Sequence, residues 1–177
     1  MRIPYNESAM QKEIKENRIN RKERIQNDIE KYGGGILNSE EMQKAFTQTH
    51  HQRSTVGEHT IRVAVSSMLM CYALKKMHFK INVPAIVVGS LCHDLGIIGR
   101  EEKYSSSKEC SREHPRDSVA VAKELVSDLP AETEEIIKRH MWPIGNTKAP
   151  HTIEGIVVSL ADKYAAVKDF ANRKGEK

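Results

Sequence analysis

An all-α domain is predicted for this 177-residue chain, and three observations carry the prediction. Apolar residues recur at spacings of three and four around residues 56–71, 85–95, 119–126 and 156–165, which is the period of one helix face. The β-branched runs that could signal strands, Ile86-Val87-Val88 and Ile156-Val157-Val158, each sit inside such a segment. Clusters of Gly, Pro and Asn separate the segments at helical lengths, so a compact single-domain bundle of about six or seven helices is expected. A chain of this size buries roughly two thirds of its unfolded surface and needs no disulfide to do so.

The first helix is expected from Ala9 to Lys31, polar, with Ile14, Ile19, Ile25 and Ile29 as a sparse apolar set. It reads as a helix laid over the domain, compatible with a homodimer contact. Gly33-Gly34-Gly35 is expected to end it, which divides the chain into a polar extension over 1–35 and a main domain over 36–177. Without a following Lys-Ser/Thr, those glycines make no phosphate-cradling loop.

Asn38 or Ser39 caps a helix from Glu40 to about Thr49. The next begins near Ser54 or Thr55 and carries Val56, His59, Thr60, Val63, Ala64, Ser67, Met68 and Cys71, a spacing that turns His59 inward. Asn82 caps a third core helix with Pro84 in its first turn. It is expected to run to Gly96 or Gly99, with His93 and Asp94 in its last two turns.

Arg100 to Glu113 is charged and serine-rich and reads as a loop, or a short helix and loop, forming a rim or lid. His114-Pro115 is expected to open the next helix, with Val119, Ala122 and Leu125 on its apolar face. A short helix over Thr133 to Met141 turns Ile136 and Ile137 inward and holds His140 near its end. Trp142-Pro143-Ile144-Gly145 breaks it. The last helix starts near Thr152 and places Asp162 at its middle.

Composition narrows the function. The formal charge is +4, with 28 basic and 24 acidic residues interspersed. No basic run, zinc finger or aromatic-basic interleaving marks a nucleic-acid polymer as partner. The N-terminus leads into charge rather than an apolar run, and the apolar stretches are too short and interrupted to span a bilayer. Cys71, Cys92 and Cys110 have no CxxC spacing, so neither a disulfide framework nor a zinc knuckle is indicated and a reducing cytoplasm is expected. Cys110, in a polar stretch, is placed at the surface.

His93-Asp94 interrupts the apolar run Ile86 to Cys92 with two groups that are costly to bury unpaired. A metal ion is an economical partner for both. His59, His114, His140 and Asp162 occupy comparable positions on or at the ends of apolar helices and can complete such a site. Imidazole and carboxylate donors without thiolates suit Fe, Mn, Co, Ni or Zn better than Ca or Mg. Iron or manganese is the expected choice.

The ordered set His59, His93-Asp94, His114, His140 and Asp162, with the stretches Glu58-His59-Thr60-Ile61-Arg62, Leu91-Cys92-His93-Asp94-Leu95-Gly96 and Ser159-Leu160-Ala161-Asp162-Lys163, resembles the HD superfamily of metal-dependent phosphohydrolases over about residues 50–170. The resemblance implies a first metal held by His59, His93, Asp94 and Asp162. The additional His114 and His140 resemble two-metal members, which implies that Asp94 bridges two ions. It further implies a phosphohydrolase or phosphodiesterase that cleaves a small, nucleotide-like phosphate ester or anhydride by metal-activated water.

Asp94, Arg62 and Lys163 are the candidate catalytic residues, Arg62 to meet a phosphoryl oxygen and Lys163 to neutralise developing charge. Arg100, Arg116, Arg139 and Trp142 are the candidate substrate contacts. The Gly-Tyr-Pro signature of the cyclic-dinucleotide branch is absent, and Leu95-Gly96-Ile97-Ile98-Gly99-Arg100 replaces the Asp-Ile-Gly-Lys run of many members. The same ligand set also admits an HD-type di-iron oxygenase or a non-catalytic metal-containing nucleotide-binding protein.

Overall fold

The computed structural model describes residues 7–50, 54–144 and 148–171. Among these, eight α-helices account for nearly all of the ordered backbone: α1 (Glu7–Leu37), α2 (Glu40–Thr47), α3 (Val56–Lys76), α4 (Val83–Cys92), α5 (Arg100–Lys103), α6 (Ser107–Leu125), α7 (Ala131–Arg139) and α8 (Ile153–Ala171). The all-α prediction holds. One two-residue antiparallel pairing, Thr49–His50 with Ser54–Thr55, leads into α3.

α4 is the centre of the bundle. Its sequence, Val83 to Cys92, is apolar almost all round and nearly every side chain is buried, which is the pattern of a helix surrounded by others. α1, α3, α7 and α8 pack around it. Asn82 starts it by accepting from the Ala85 N–H at 3.2 Å, and the Asn82 N–H donates to the Glu154 carboxylate on α8 at 2.8 Å. The entry of α4 is thereby tied to the start of α8.

A reciprocal capping box starts α3. The Thr55 N–H donates to Glu58 Oε2 at 2.9 Å, and the Glu58 N–H donates to Thr55 Oγ1 at 3.1 Å. This fixes the helix phase, so that His59 in the first turn faces the core with Thr60, Val63 and Ala64.

Four expectations about the elements change. The glycines do not end α1, which runs on to Leu37; a Cβ at Gly33 would lie 2.2 Å from Leu91 Cδ1, so Gly33 lets α1 cross closely over α4. The turn comes at Asn38 and Ser39, where Ser39 caps α2 through the Met42 N–H at 3.2 Å. α4 stops at Cys92, and Asp94, at φ −114°, leads into a single 3-10 turn over Leu95–Ile97.

α6 begins at Ser107, eight residues ahead of Pro115, and tolerates the proline inside it at the loss of one backbone hydrogen bond. The serines of the expected loop are its cap: Ser106 Oγ accepts from the Glu109 N–H at 3.2 Å, and the Ser105 N–H donates to Glu109 at 2.7 Å. The early part of α6 turns only Cys110 and His114 inward, too few apolar positions to reveal a helix face in sequence. Cys110 is accordingly buried rather than exposed.

α1 contributes Ile25, Ile29 and Ile36 to the same core as α3 and α4. Ile19 is exposed. The side chain of Ile14, residues 1–6 and residues 145–147 of the expected break after α7 lie outside the described residues. No described helix is long and apolar enough to cross a membrane.

Candidate metal centre

Four imidazoles and two carboxylates converge where α3, α4, α6, α7 and α8 meet. His59 comes from α3, His114 from α6 and Asp162 from α8; His93 and His140 are the C-terminal cap residues of α4 and α7. Asp94 follows His93 directly. All six are buried, the arrangement that needs a compensating partner.

The outer nitrogen of each histidine is already engaged. Nδ1 of His93, His114 and His140 donates to the carbonyls of Ser90, Cys110 and Ile137, each at 2.7 Å. His59 Nδ1 lies 3.2 Å from Asp169 Oδ2. A carbonyl only accepts, so the proton resides on Nδ1 and the Nε2 lone pairs of these rings point to the centre. Backbone carbonyls and a carboxylate thus set both tautomer and ring orientation.

Asp94 divides its two oxygens between two histidine pairs. Its Oδ1 lies 3.2 Å from His114 Nε2 and 3.4 Å from His140 Nε2, while its Oδ2 lies 3.5 Å from His93 Nε2 and 3.9 Å from His59 Nε2. Asp162 Oδ1 joins the second pair, 3.0 Å from His59 Nε2 and 3.9 Å from His93 Nε2. Two groups of ligand atoms, His59-His93-Asp94 and Asp94-His114-His140, each fall within 4.8 Å of one another.

The donor set fits cations at both places. His93 Nε2 is fully buried with no hydrogen-bond partner, and His114 Nε2 faces His140 Nε2 at 3.0 Å. At that separation the two nitrogens share a proton or face a common cation, since two bare lone pairs there would repel. Open nitrogen lone pairs and ionised carboxylates are also what transition-metal coordination requires.

Electrostatics follow the same division. Burial pushes the His93 imidazole down to about 4 against the pull of Asp94, so it is neutral. Burial is the largest influence on His59 and His114 and works to lower both, but the hydrogen bonds to Asp162 and Asp94, together with the charge of these neighbouring carboxylates, outweigh it, and both are raised. Burial would raise Asp94 and Asp162, yet the surrounding imidazoles hold both well below the ordinary carboxylate range. The carboxylates are ionised.

A family model for the HD domain matches residues 56–167, from the first residue of α3 into the last turns of α8, and this span contains all six converging residues. The chain belongs to the HD domain family. No curated protein and no solved structure matches it.

The HD centre opens onto a cavity of about 600 Å³, with Asp94, His114 and Asp162 at its floor. Arg100 and Lys163 bring positive charge to its walls, and Ile97, Tyr104, Met141 and Ile144 bring apolar surface. Lys163 Nζ donates to Asp162 Oδ2 at 2.7 Å and to the His140 carbonyl at 3.0 Å, which ties the C-terminal end of α7 to the middle of α8 beside the candidate metal ligands.

The other sequence candidates lie elsewhere. Arg62 Nη2 forms an ion pair with Asp169 Oδ1 at 2.8 Å, so it braces the carboxylate that orients His59. Arg116 is exposed, 3.6 Å from Glu113 and 3.7 Å from Asp117. Arg139 is occupied by Glu135 and by the Ala149 carbonyl. Trp142 is half-buried, and its carbonyl accepts from Ser159 Oγ.

Asp169 was not among the sequence candidates. Its signal was its offset, seven residues after Asp162, which is two turns down the same face of α8. Gln48 was also unmarked: its side chain donates to the Ile97 carbonyl at 2.9 Å and accepts from the Gly99 N–H at 2.6 Å, clamping the turn that follows His93-Asp94.

Proposed function

We propose that this HD protein is a metal-dependent phosphohydrolase or phosphodiesterase acting on a small, nucleotide-like phosphate ester or anhydride. The observation that carries the reading is the Asp94 carboxylate, with one oxygen turned to each histidine pair on the floor of an open, partly cationic cavity. Two divalent transition ions, iron or manganese, suit this donor set. His59, His93, Asp94 and Asp162 would hold the first, and Asp94, His114 and His140 the second. When bound, such ions lower the pKa of water and offset phosphoryl charge during in-line displacement.

The chain's own groups supply positioning and polarity. Arg100 and Lys163 line the cavity and in this reading would meet phosphoryl oxygens, Arg100 with a planar donor fork and Lys163 as a point charge. The apolar walls around Tyr104, Met141 and Ile144 displace water from the floor, which strengthens every charge interaction there. Their size also leaves room for a nucleoside-sized group. Arg62 acts at one remove, as a positioning residue through Asp169 and His59. A cytoplasmic location accords with this chemistry and with three unpaired cysteines.

Turnover of nucleoside phosphates, dinucleoside polyphosphates, cyclic nucleotides and simple phosphomonoesters by the metal-loaded protein tests the proposal, run in ¹⁸O-labelled water. One labelled oxygen in the phosphoryl product, lost in Asp94→Asn, is the expected result. A protein carrying both metals and inactive on all four classes would overturn it.

A further inference from the structure

Five cations from α1 and α3 line one groove that holds no carboxylate. Arg18, Arg21 and Arg24 come from α1, Lys75 and Lys76 from the last turn of α3, and the other lining residues are uncharged. The groove has a volume of about 680 Å³, within the roughly 300–1,000 Å³ of small-molecule sites. It shares no lining residue with the metal cavity. Tyr72, which lines it, lies about 20 Å along α3 from His59 at 1.5 Å per residue.

Local structure does not call for this concentration of charge. Arg18, Arg21 and Arg24 follow one another at three-residue steps, and Lys22 lies four residues after Arg18; like charges at these spacings repel. Arg18, Arg21, Lys75 and Lys76 have no acidic residue three or four positions away in sequence, and none makes an ion pair among the described residues. Arg24 lies over the Tyr72 ring, with Cζ 4.8 Å from its centroid. Asp28, four residues after Arg24, accepts from the Tyr72 hydroxyl, so at most one of the five cations is offset. Elsewhere the signs balance: 28 basic residues less these five leave 23 against 24 acidic ones. The whole formal excess of +4 therefore resides in the groove.

The end of α3 accounts for little of it. A helix C-terminus carries roughly half a negative charge, about a tenth of what faces it here. Its carbonyls are also engaged: Leu74 O accepts from the Met77 and Phe79 N–H groups at 2.9 and 3.2 Å, and Lys75 O from the His78 N–H at 3.1 Å.

We propose that this groove binds a small anion built of linked phosphates, a nucleoside triphosphate or inorganic triphosphate, at a site separate from the metal centre. Guanidinium forks match phosphoryl oxygens two at a time. One terminal phosphate brings about −1.5 to −2 charges, so five cations suit a ligand with more than one. Arg18 to Arg24 span about 9 Å of helix. That is the reach of one compact anion rather than of a polymer, on which proteins typically neutralise about 6–10 phosphates. Ile19, Met77 and Phe79 are exposed, but none lines the groove, so no apolar insertion accompanies the charge as it does on a lipid-binding face. The site does not rest on the reaction proposed above.

Acetylation by limiting acetic anhydride, read lysine by lysine by mass spectrometry, reports both sites of the full, metal-loaded chain at once. In excess magnesium, the β,γ-methylene analogue of ATP and inorganic triphosphate should each slow Lys75 and Lys76 saturably. Exposed Lys44 on α2 should keep its rate, and Lys163 reports the metal cavity independently. Arg18→Ala combined with Arg21→Ala, both compatible with an exposed helix, should raise the half-protecting concentration at least tenfold without altering the Lys163 response. Protection by inorganic triphosphate assigns recognition to the phosphate chain, and protection by the ATP analogue alone assigns it to a nucleotide; both support the proposal. Unchanged rates at Lys75 and Lys76 with both probes overturn it. So does protection that sodium sulfate matches at equal ionic strength, or that the double variant leaves intact. Protection confined to phosphatidylglycerol vesicles or to single-stranded RNA overturns it in favour of a lipid or nucleic-acid surface.

Discussion

Gly96 holds the two halves of the metal centre at their working distance, and Gly96→Ala should separate them. Gly96 lies two residues after Asp94, and a Cβ there would sit 2.2 Å from the Ser118 N atom, 2.6 Å from Asp117 C and 2.6 Å from His114 O. Ordinary contact begins at 3.4 Å, so the turn after Asp94 and α6 must part by about 3.4 − 2.2 = 1.2 Å at the tightest point. Every atom in the way is backbone, which cannot rotate aside. The Gly96 N–H to Ser118 Oγ hydrogen bond, 2.9 Å, would open with it.

His114 rides on α6, so its Nε2, now 3.2 Å from Asp94 Oδ1, should retreat by a similar distance. Metal–ligand distances tolerate only about 0.2 Å. The second site, Asp94-His114-His140, should therefore lose about 10–100-fold in affinity, while the first, which uses nothing from α6, stays within a few-fold. The metal-free protein should also lose about 1–3 kcal/mol of stability from overpacking. Metal titration against a competing chelator, with stoichiometry by mass spectrometry and urea unfolding of the stripped protein, reads all three quantities. Two sites of wild-type affinity in a variant of unchanged stability would refute the argument.

Asp169→Ala should weaken the first metal site by about 10–100-fold, because it removes the acceptor that orients His59. Arg62→Ala should act in the same direction and show in chelator competition rather than as a raised KM alone; an unchanged metal affinity with a raised KM would return Arg62 to substrate contact. Metal affinity should rise with pH, since His59 and His114 hold protons above the ordinary value of 6.5 and must release them to offer Nε2. In the stripped protein, those raised groups contribute stability that is full below 6.5 and lost as pH rises through their folded-state values. Chelator competition and thermal unfolding across pH test both signs, and a flat affinity profile would contradict them. Gly35→Ala, with nothing within 4 Å of its new Cβ, should stabilise by about 0.5–1 kcal/mol through helix propensity. Gly33→Ala, 2.2 Å from the buried Leu91 side chain, should instead destabilise by about 1 kcal/mol or more; equal effects in urea unfolding would show that α1 does not press on α4.

How much was legible in sequence differs by element. The helices α3, α4 and α8 were visible because their apolar positions repeat over several turns, and α3 and α4 also carry local caps at Thr55 and Asn82 that need no distant partner. α6 was half hidden, because Pro115 looks like a start and the turns before it bury only Cys110 and His114. The triple glycine looked like a stop for the same local reason. Its role, letting α1 pass over Leu91, depends on a residue far along the chain.

The six candidate ligands could be named from sequence because buried imidazoles and carboxylates on apolar helices are too costly to leave unpaired, and their order matched one family. Three further features depended on the tertiary structure: the split of Asp94's two oxygens between histidine pairs, the engagement of Arg62 with Asp169, and the occupation of Arg116 and Arg139 by neighbouring carboxylates. A one-dimensional pattern specifies which side chains must face inward, through period and cost of burial. Direction, distance and choice of partner arise only when five helices meet, because each is set by groups tens of residues away.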